Sequence, residues 1–262
     1  MFIYNLKNRF KNLAIIIYKL MTTFISKETI SRLLKDVKHI LKNPLTENGI
    51  YYIHDDTDMM KGYALIIGPS DTPYFGGNYF FEFNYPHDFP HSPPKVKYWT
   101  NGNNVRFNPN LYTCGKVCVS LLNTWRGDQW TSCQTISTVL LTLCTLLCKD
   151  PLLNEPGVNK SNPDMKSYDE IIQYSNIDIA VCDIIEKKSG VFIPFFENFY
   201  PFVKENFLKN YDKLLEFAEK KNAEFNETPN DFRTGFYSMK IKVDYNKVIE
   251  RLKESKALVE IM

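Results

Sequence analysis

The chain has 262 residues, of which 44% are hydrophobic, 24% charged and 15% aromatic, a composition that builds a core without disulfide staples and is too apolar for disorder. At roughly 150 residues per domain, it amounts to one enlarged domain or a domain with an appendage. Thirty-two Lys and Arg against 30 Asp and Glu leave +2, too balanced for a protein whose main task is to neutralise a phosphate backbone, so no nucleic-acid partner is expected.

The basic excess is local. Lys7, Arg9, Lys11 and Lys19 stand in residues 1–25 with no acid among them. The apolar run Leu13–Tyr18 is cut by Lys19, far short of the roughly 20 residues that span a bilayer, so neither a membrane span nor stable membrane association is expected. Leu20–Phe24 lacks the small residues of a secretory cleavage site. An acid-free leader of this kind fits a mitochondrial presequence or an interfacial helix; a plain N-terminal extension is the preferred reading.

From Ser26 the periodicity predicts a helix, with Ile30, Leu33, Leu34, Val37 and Leu41 on one stripe, Ser26 as cap and Pro44 as stop. Runs rich in aromatic and β-branched residues follow at about 50–54, 62–68, 78–84 and 95–99. Their short spacing predicts an antiparallel meander, with Gly68-Pro69 through Gly76-Gly77 as a hairpin connection. Pro86, Pro90, Pro93 and Pro94 bar helix and central strand before the fourth run. From Thr100 to Gly127 neither period holds, and an irregular segment of that length in a compact domain is usually functional.

A second helix is expected from Thr131, which with Gln134 reads as a capping box, through Ile136, Val139, Leu140, Leu143, Cys144, Leu147 and Cys148 to a stop at Asp150-Pro151. It is apolar nearly all round and so belongs at the centre of a domain. Beyond about residue 160, helical stripes recur, clearest at Phe207, Leu208, Tyr211, Leu214, Leu215 and Ala218, then from Asp244 to Val259. The resulting layout is a segment over 1–25, a core over 26–160 and a helical extension over 161–262.

The cysteines fall at 114, 118, 133, 144, 148 and 182. They lack the scattered framework of a secreted scaffold, so a reducing compartment is expected. Cys114/Cys118 and Cys144/Cys148 are four apart, but no nearby His or second close pair completes a zinc set, and no metal is expected. Cys144 and Cys148 read as core. Cys118 stands apart: it lies in the irregular segment, eight residues after Asn110, whose amide can donate to a developing oxyanion. No His flanks it, which disfavours a Cys-His dyad.

The run Arg106-Phe107-Asn108-Pro109-Asn110-Leu111-Tyr112-Thr113-Cys114-Gly115-Lys116-Val117-Cys118-Val119-Ser120-Leu121-Leu122, with Trp125 and Trp130, resembles the active-site segment of ubiquitin-conjugating enzymes. So do Gly68-Pro69 to Gly77, Tyr85-Pro86 to Pro93-Pro94-Lys95-Val96 and the central helix, in order over about residues 26–157. The fold class so implied is α+β: an N-terminal helix, four-stranded antiparallel meander, long active-site loop and central helix, here with a C-terminal helical extension. Asn108 departs from the usual His and agrees with larger members of the Z type, as do Trp125-Arg126-Gly127-Asp128 and Asn154-Glu155-Pro156-Gly157.

The resemblance implies that Cys118 accepts ubiquitin or a ubiquitin-like protein from an activating enzyme and hands it to a substrate lysine or a ligase cysteine, in the cytoplasm and nucleus. It implies no cofactor in the chain itself, ATP being used upstream by the activating enzyme. Asn110 matches the residue assigned to the oxyanion or to loop ordering. Asp150 matches a gate that orients the incoming lysine, against the alternative of a helix stop, and the loop before it is about four residues short. Arg32 and Lys35 match basic positions that meet the activating enzyme. His91, Thr131, Ser132 and Cys133 fall in the ligase-facing loops, where His91 replaces an aromatic anchor. A non-catalytic adaptor of the same fold and a metal-binding module are the competing expectations.

Overall fold

A computed structural model of the protein describes residues 25–261; apart from Ile25, the basic segment expected over 1–25 lies outside the described residues. The elements are α1 (Lys27–Lys42), β1 (Ile50–His54), β2 (Lys61–Ile67), β3 (Asn78–Asn84), β4 (Lys95–Tyr98), α2 (Ile136–Leu146), α3 (Asp164–Ser175), a π-helical stretch (Asn176–Asp183), α4 (Tyr200–Glu224), β5 (Asn230–Arg233), β6 (Lys240–Val243) and α5 (Tyr245–Ile261). Strands β1 to β4 form one antiparallel sheet in sequence order, as the meander predicts. No helix among the described residues is long and apolar enough to cross a membrane.

The chain falls into two compact units. One contains described residues up to 64 with 81–97 and 118–142; the other contains 65–80, 98–117 and described residues from 143 on. Within the second unit a set of buried amides helps to join the extension to earlier residues. Asn206 donates to Gly76 O at 2.9 Å and to Asn78 Oδ1 at 3.1 Å, while Asn78 donates to Ala180 O at 3.0 Å. Asn176 donates to Phe75 O at 2.9 Å and accepts from Tyr79 Oη at 2.6 Å. Gly77 is required there, because a Cβ would stand 2.0 Å from Asn176 Oδ1.

In the first unit Ser26 caps α1, its hydroxyl accepting from Thr29 N at 3.0 Å. The buried face differs from the apolar stripe: Thr29, Asp36 and Ile40 join Leu33 and Val37, and Leu41 is exposed. Tertiary partners explain this rotation. Thr29 Oγ1 reaches the carbonyls of His87 and Phe89, both at 2.8 Å, and Asp36 works at the start of α2. That start is later than the sequence predicts. Thr131 closes only a turn, accepting from Gln134 N at 3.0 Å; Thr135 Oγ1 accepts from Thr138 N at 3.2 Å, and Asp36 Oδ2 accepts from Ile136 N at 3.4 Å. An acid on another helix supplies a cap that a local reading assigns to Thr131.

The extension is not wholly helical. β5 and β6 pair antiparallel from Asn230↔Val243 to Arg233↔Lys240, four-residue strands too short to leave an alternation signal. After α3 the helix widens over Asn176–Asp183, where Ile179, Ala180, Val181 and Cys182 are fully buried. Against it lies Arg251 of α5. Its guanidinium donates to Asp178 O at 2.8 Å, Asp183 Oδ1 at 2.6 Å and Glu186 Oε1 at 2.7 Å, and pairs with the Asp178 carboxylate as well.

Candidate active site

In the first unit two irregular stretches are assembled around Trp130. Its Nε1 donates to Pro90 O at 2.7 Å, its amide to Asn123 Oδ1 at 2.8 Å, and its ring lies 6.0 Å from that of Phe89. Arg32 lies 5.6 Å from the Phe89 ring centroid, pairs with Asp36 at 2.9 Å and donates to the carbonyls of Ser132 and Gln134. Arg32 thus faces inward, whereas Lys35 is exposed. Of the positions expected to face a ligase, His91, Thr131, Ser132 and Cys133 are all exposed, and the two loops meet where His91 Nδ1 stands 3.5 Å from Ser132 Oγ. On its other side His91 Nε2 is 3.4 Å from Glu28.

Cys118 is a thiol, 2% exposed, and directly follows Val117, whose bridge to Leu111 closes the irregular segment. In the second unit that segment is fixed by Asn108, which is fully buried. Its Nδ2 donates to Leu146 O at 2.8 Å and Tyr74 Oη at 3.3 Å; its Oδ1 accepts from Asn110 N at 2.9 Å and Asn154 Nδ2 at 3.4 Å. Asn therefore fills both roles of a structural residue here, donor to the end of α2 and acceptor for the turn that carries Asn110. Asn110 is itself 7% exposed.

Asp150 follows α2, accepts from Leu153 N through its carbonyl at 3.1 Å, and lies 3.8 Å from Lys160. It lines two cavities of the second unit, of about 430 and 310 Å³, and Asp169 of α3 lines both as well. Burial, reinforced by Glu170, raises the Asp169 carboxyl to about 6. Its native form therefore holds a proton more tightly than the unfolded chain does. The sign follows: this group favours the fold most below about pH 4, and that contribution is lost as pH rises to about 6. Asp169→Asn should raise stability by about 1 kcal/mol at pH 7.5, the full two-unit shift being discounted for partial solvation, and leave it unchanged at pH 4. Urea unfolding at the two pH values measures this; an equal gain at both would refute it.

The other thiols are unequal. Burial raises Cys144 and Cys148, which are half-buried rather than central, and pushes Cys182 up to about 12, so none of these three readily forms a thiolate. Cys114 and Cys133 are exposed. Among the described residues no group of three or more His, Cys, Asp or Glu is arranged to hold a metal ion. Local reading missed Asp36, Arg106 and Tyr237. Asp36 carries a signal, as a charge beside an apolar stripe; the contacts of Arg106 and Tyr237, over a hundred residues apart, leave none.

A sheet in meander order, an Asn-Pro-Asn turn pinned under a buried side chain and a cysteine eight residues on define a conjugating core. The family model described as ubiquitin-conjugating enzyme matches residues 32–175, more than half of the chain, and the protein belongs to that family. It is 39% identical to human ubiquitin-conjugating enzyme E2 Z over 236 residues, covering 86% of this chain and 65% of the human protein. The zebrafish (Danio rerio) E2 Z is 43% identical over 190 residues, 71% of this chain and 56% of that protein. Human BIRC6, a dual E2 ubiquitin-conjugating enzyme/E3 ubiquitin-protein ligase, is 39% identical over 165 residues, 57% of this chain but 3% of that protein. The chain thus spans about two-thirds or less of its E2 Z relatives. A match covering 86% of the chain cannot fit within residues 1–175, so the likeness to human E2 Z runs into the extension.

Proposed function

We propose that this protein accepts ubiquitin, or a ubiquitin-like protein, from an activating enzyme as a thioester on Cys118 and passes it to a substrate lysine or to a ligase cysteine. The carrying observation is the complete active-site segment, Arg106 to Leu122, with its cysteine present and its turn fixed by Asn108. In loading, the Cys118 thiolate attacks the activating enzyme's thioester carbonyl, a new C–S bond forms, and the activating enzyme's thiol leaves. Two thiols of similar pKa exchange readily, so no catalytic histidine is needed. In discharge an amine attacks, a C–N bond forms, and Cys118 leaves. Amine attack benefits from orientation and oxyanion donors, the roles assigned to Asp150 and Asn110. ATP is consumed upstream, and the chain needs no cofactor of its own. We propose the cytoplasm and nucleus as its place of work, on the family resemblance alone.

Since Arg32 faces inward, Lys35 is the basic position left to meet the activating enzyme. His91 sits among polar contacts where the family carries an aromatic anchor, and loss of a buried anchor costs roughly 2 kcal/mol. An ordinary RING domain should therefore stimulate discharge weakly, and His91→Phe should increase the stimulation severalfold; strong stimulation of the native protein would contradict this. The basic test incubates the protein with activating enzyme, ATP and each of several modifiers, followed by nonreducing electrophoresis. A thiol-labile adduct of one modifier mass is expected. A complete absence of adduct across the panel would favour the alternative, a non-catalytic adaptor.

A further inference from the structure

Arg106 opens the active-site segment, and its amide, carbonyl, Nε and Nη2 all have partners within the second unit. Its guanidinium donates forward, Nε to Asn108 O at 3.2 Å and Nη2 to Pro109 O at 2.5 Å, gripping the turn that carries Asn110. Its carbonyl accepts from Tyr168 Oη at 2.5 Å and its amide donates to Met239 Sδ at 3.2 Å. The guanidinium also lies 3.3 Å from the Tyr112 ring centroid and 4.7 Å from that of Tyr237. Tyr168, Tyr237 and Met239 all belong to the extension.

Tyr237 and Met239 come from the link between β5 and β6. Tyr237 has φ +60° and Ser238 φ +50°, conformations that bulky residues adopt only where their surroundings hold them. The holding groups are present. Phe236 N donates to Asp164 Oδ2 at 2.7 Å, Thr234 N to Met239 O at 3.1 Å and Thr234 Oγ1 to Phe236 O at 2.6 Å, while Tyr237 Oη donates to Glu155. The link is built to present one tyrosine and one thioether to Arg106.

We infer that the link Thr234–Met239 is a positioning element for the Asn108-Pro109-Asn110 turn, acting through Arg106, and that it sets the rate at which the Cys118 thioester is discharged to an amine. The inference rests on the conjugating function proposed above. Thiol exchange needs little help from the turn, whereas attack by an amine depends on donors and orientation near the tetrahedral oxygen. The link therefore matters for transfer to nitrogen and little for transfer to sulfur.

The test uses the full chain with single-turnover readouts: loading from the activating enzyme, discharge to free lysine and discharge to free cysteine. Tyr237→Ala and Met239→Leu should load within twofold of the native protein and discharge to cysteine normally, while Tyr237→Ala discharges to lysine about tenfold more slowly. Tyr237→Phe keeps the ring and should retain most of the lysine rate. In an Asn110→Ala background, Tyr237→Ala should add little, since both act on one turn. Equal losses to lysine and cysteine, or fully additive losses with Asn110→Ala, would overturn the inference. If Tyr237→Ala does not fold, Met239→Leu decides it: removing the thioether that accepts from Arg106 N should slow discharge to lysine severalfold, and an unchanged lysine rate would also overturn the inference. Failure of the native protein to load at all is a different result, and defeats the proposed function instead.

Discussion

Replacing Cys118 with serine should convert the thiol-labile adduct into one that survives reductant, because a serine hydroxyl forms an oxygen ester at that position, and more slowly than a thiolate forms a thioester. Cys118→Ala should leave adduct at under about 1% of the native level, since no other side chain takes its place. The contrast with the remaining cysteines gives the experiment its force. Cys182 is fully buried, with its thiol raised to about 12, and burial raises Cys144 and Cys148 as well. Exposed Cys114 and Cys133 are the informative controls: Cys114→Ser and Cys133→Ala should each load normally. Residual thiol-labile adduct in Cys118→Ala that disappears on adding Cys133→Ala would move the acceptor to Cys133.

The second large effect is structural. Arg251→Ala should destabilise the protein by about 3–5 kcal/mol, because Asp178, Asp183 and Glu186 would lose the guanidinium that neutralises them while Asp178 stays buried. Lys188 remains beside Asp183 at 2.6 Å, but Lys247 is 3.9 Å from Asp178 and largely exposed, a poor substitute. For a chain of this size, that loss lowers the melting temperature by roughly 10 °C. Arg251→Lys keeps a charge yet not the planar fork that reaches three acids at once, and should recover less than half of the loss. Calorimetry on the three proteins decides; a drop under about 2 °C for Arg251→Ala would mean that the cluster is solvated in solution.

Local chemistry made much of the fold legible. The four strands fall within a residue or two of their expected spans because each is a short aromatic and β-branched run between turn formers, and α1 begins where Ser26 allows. What escaped was set by distant partners. The start of α2 depends on Asp36, a hundred residues earlier, and the buried face of α1 turned to bring that acid inward. Leu208, part of the expected α4 stripe, is 47% exposed. Of the site, Cys118, Asn110 and the loop positions could be proposed from a continuous motif. The inward turn of Arg32 could not, since helical spacing places a basic residue on a face without saying whether backbone carbonyls wait there.

The buried amides of the second unit also govern when folding can finish. The side chain of Asn78, in β3, is satisfied by Ala180 and by Asn206, which lies 128 residues further along the chain. A ribosome adding roughly 5–20 residues per second takes on the order of ten seconds to cover that distance. Throughout that interval the start of β3 and the Gly76 carbonyl remain hydrated, so the early-made half of the protein emerges with an unfinished strand. Completion of the nascent fold is therefore timed by α4, and a translational pause before codon 206 should lengthen the period in which the protein depends on chaperones.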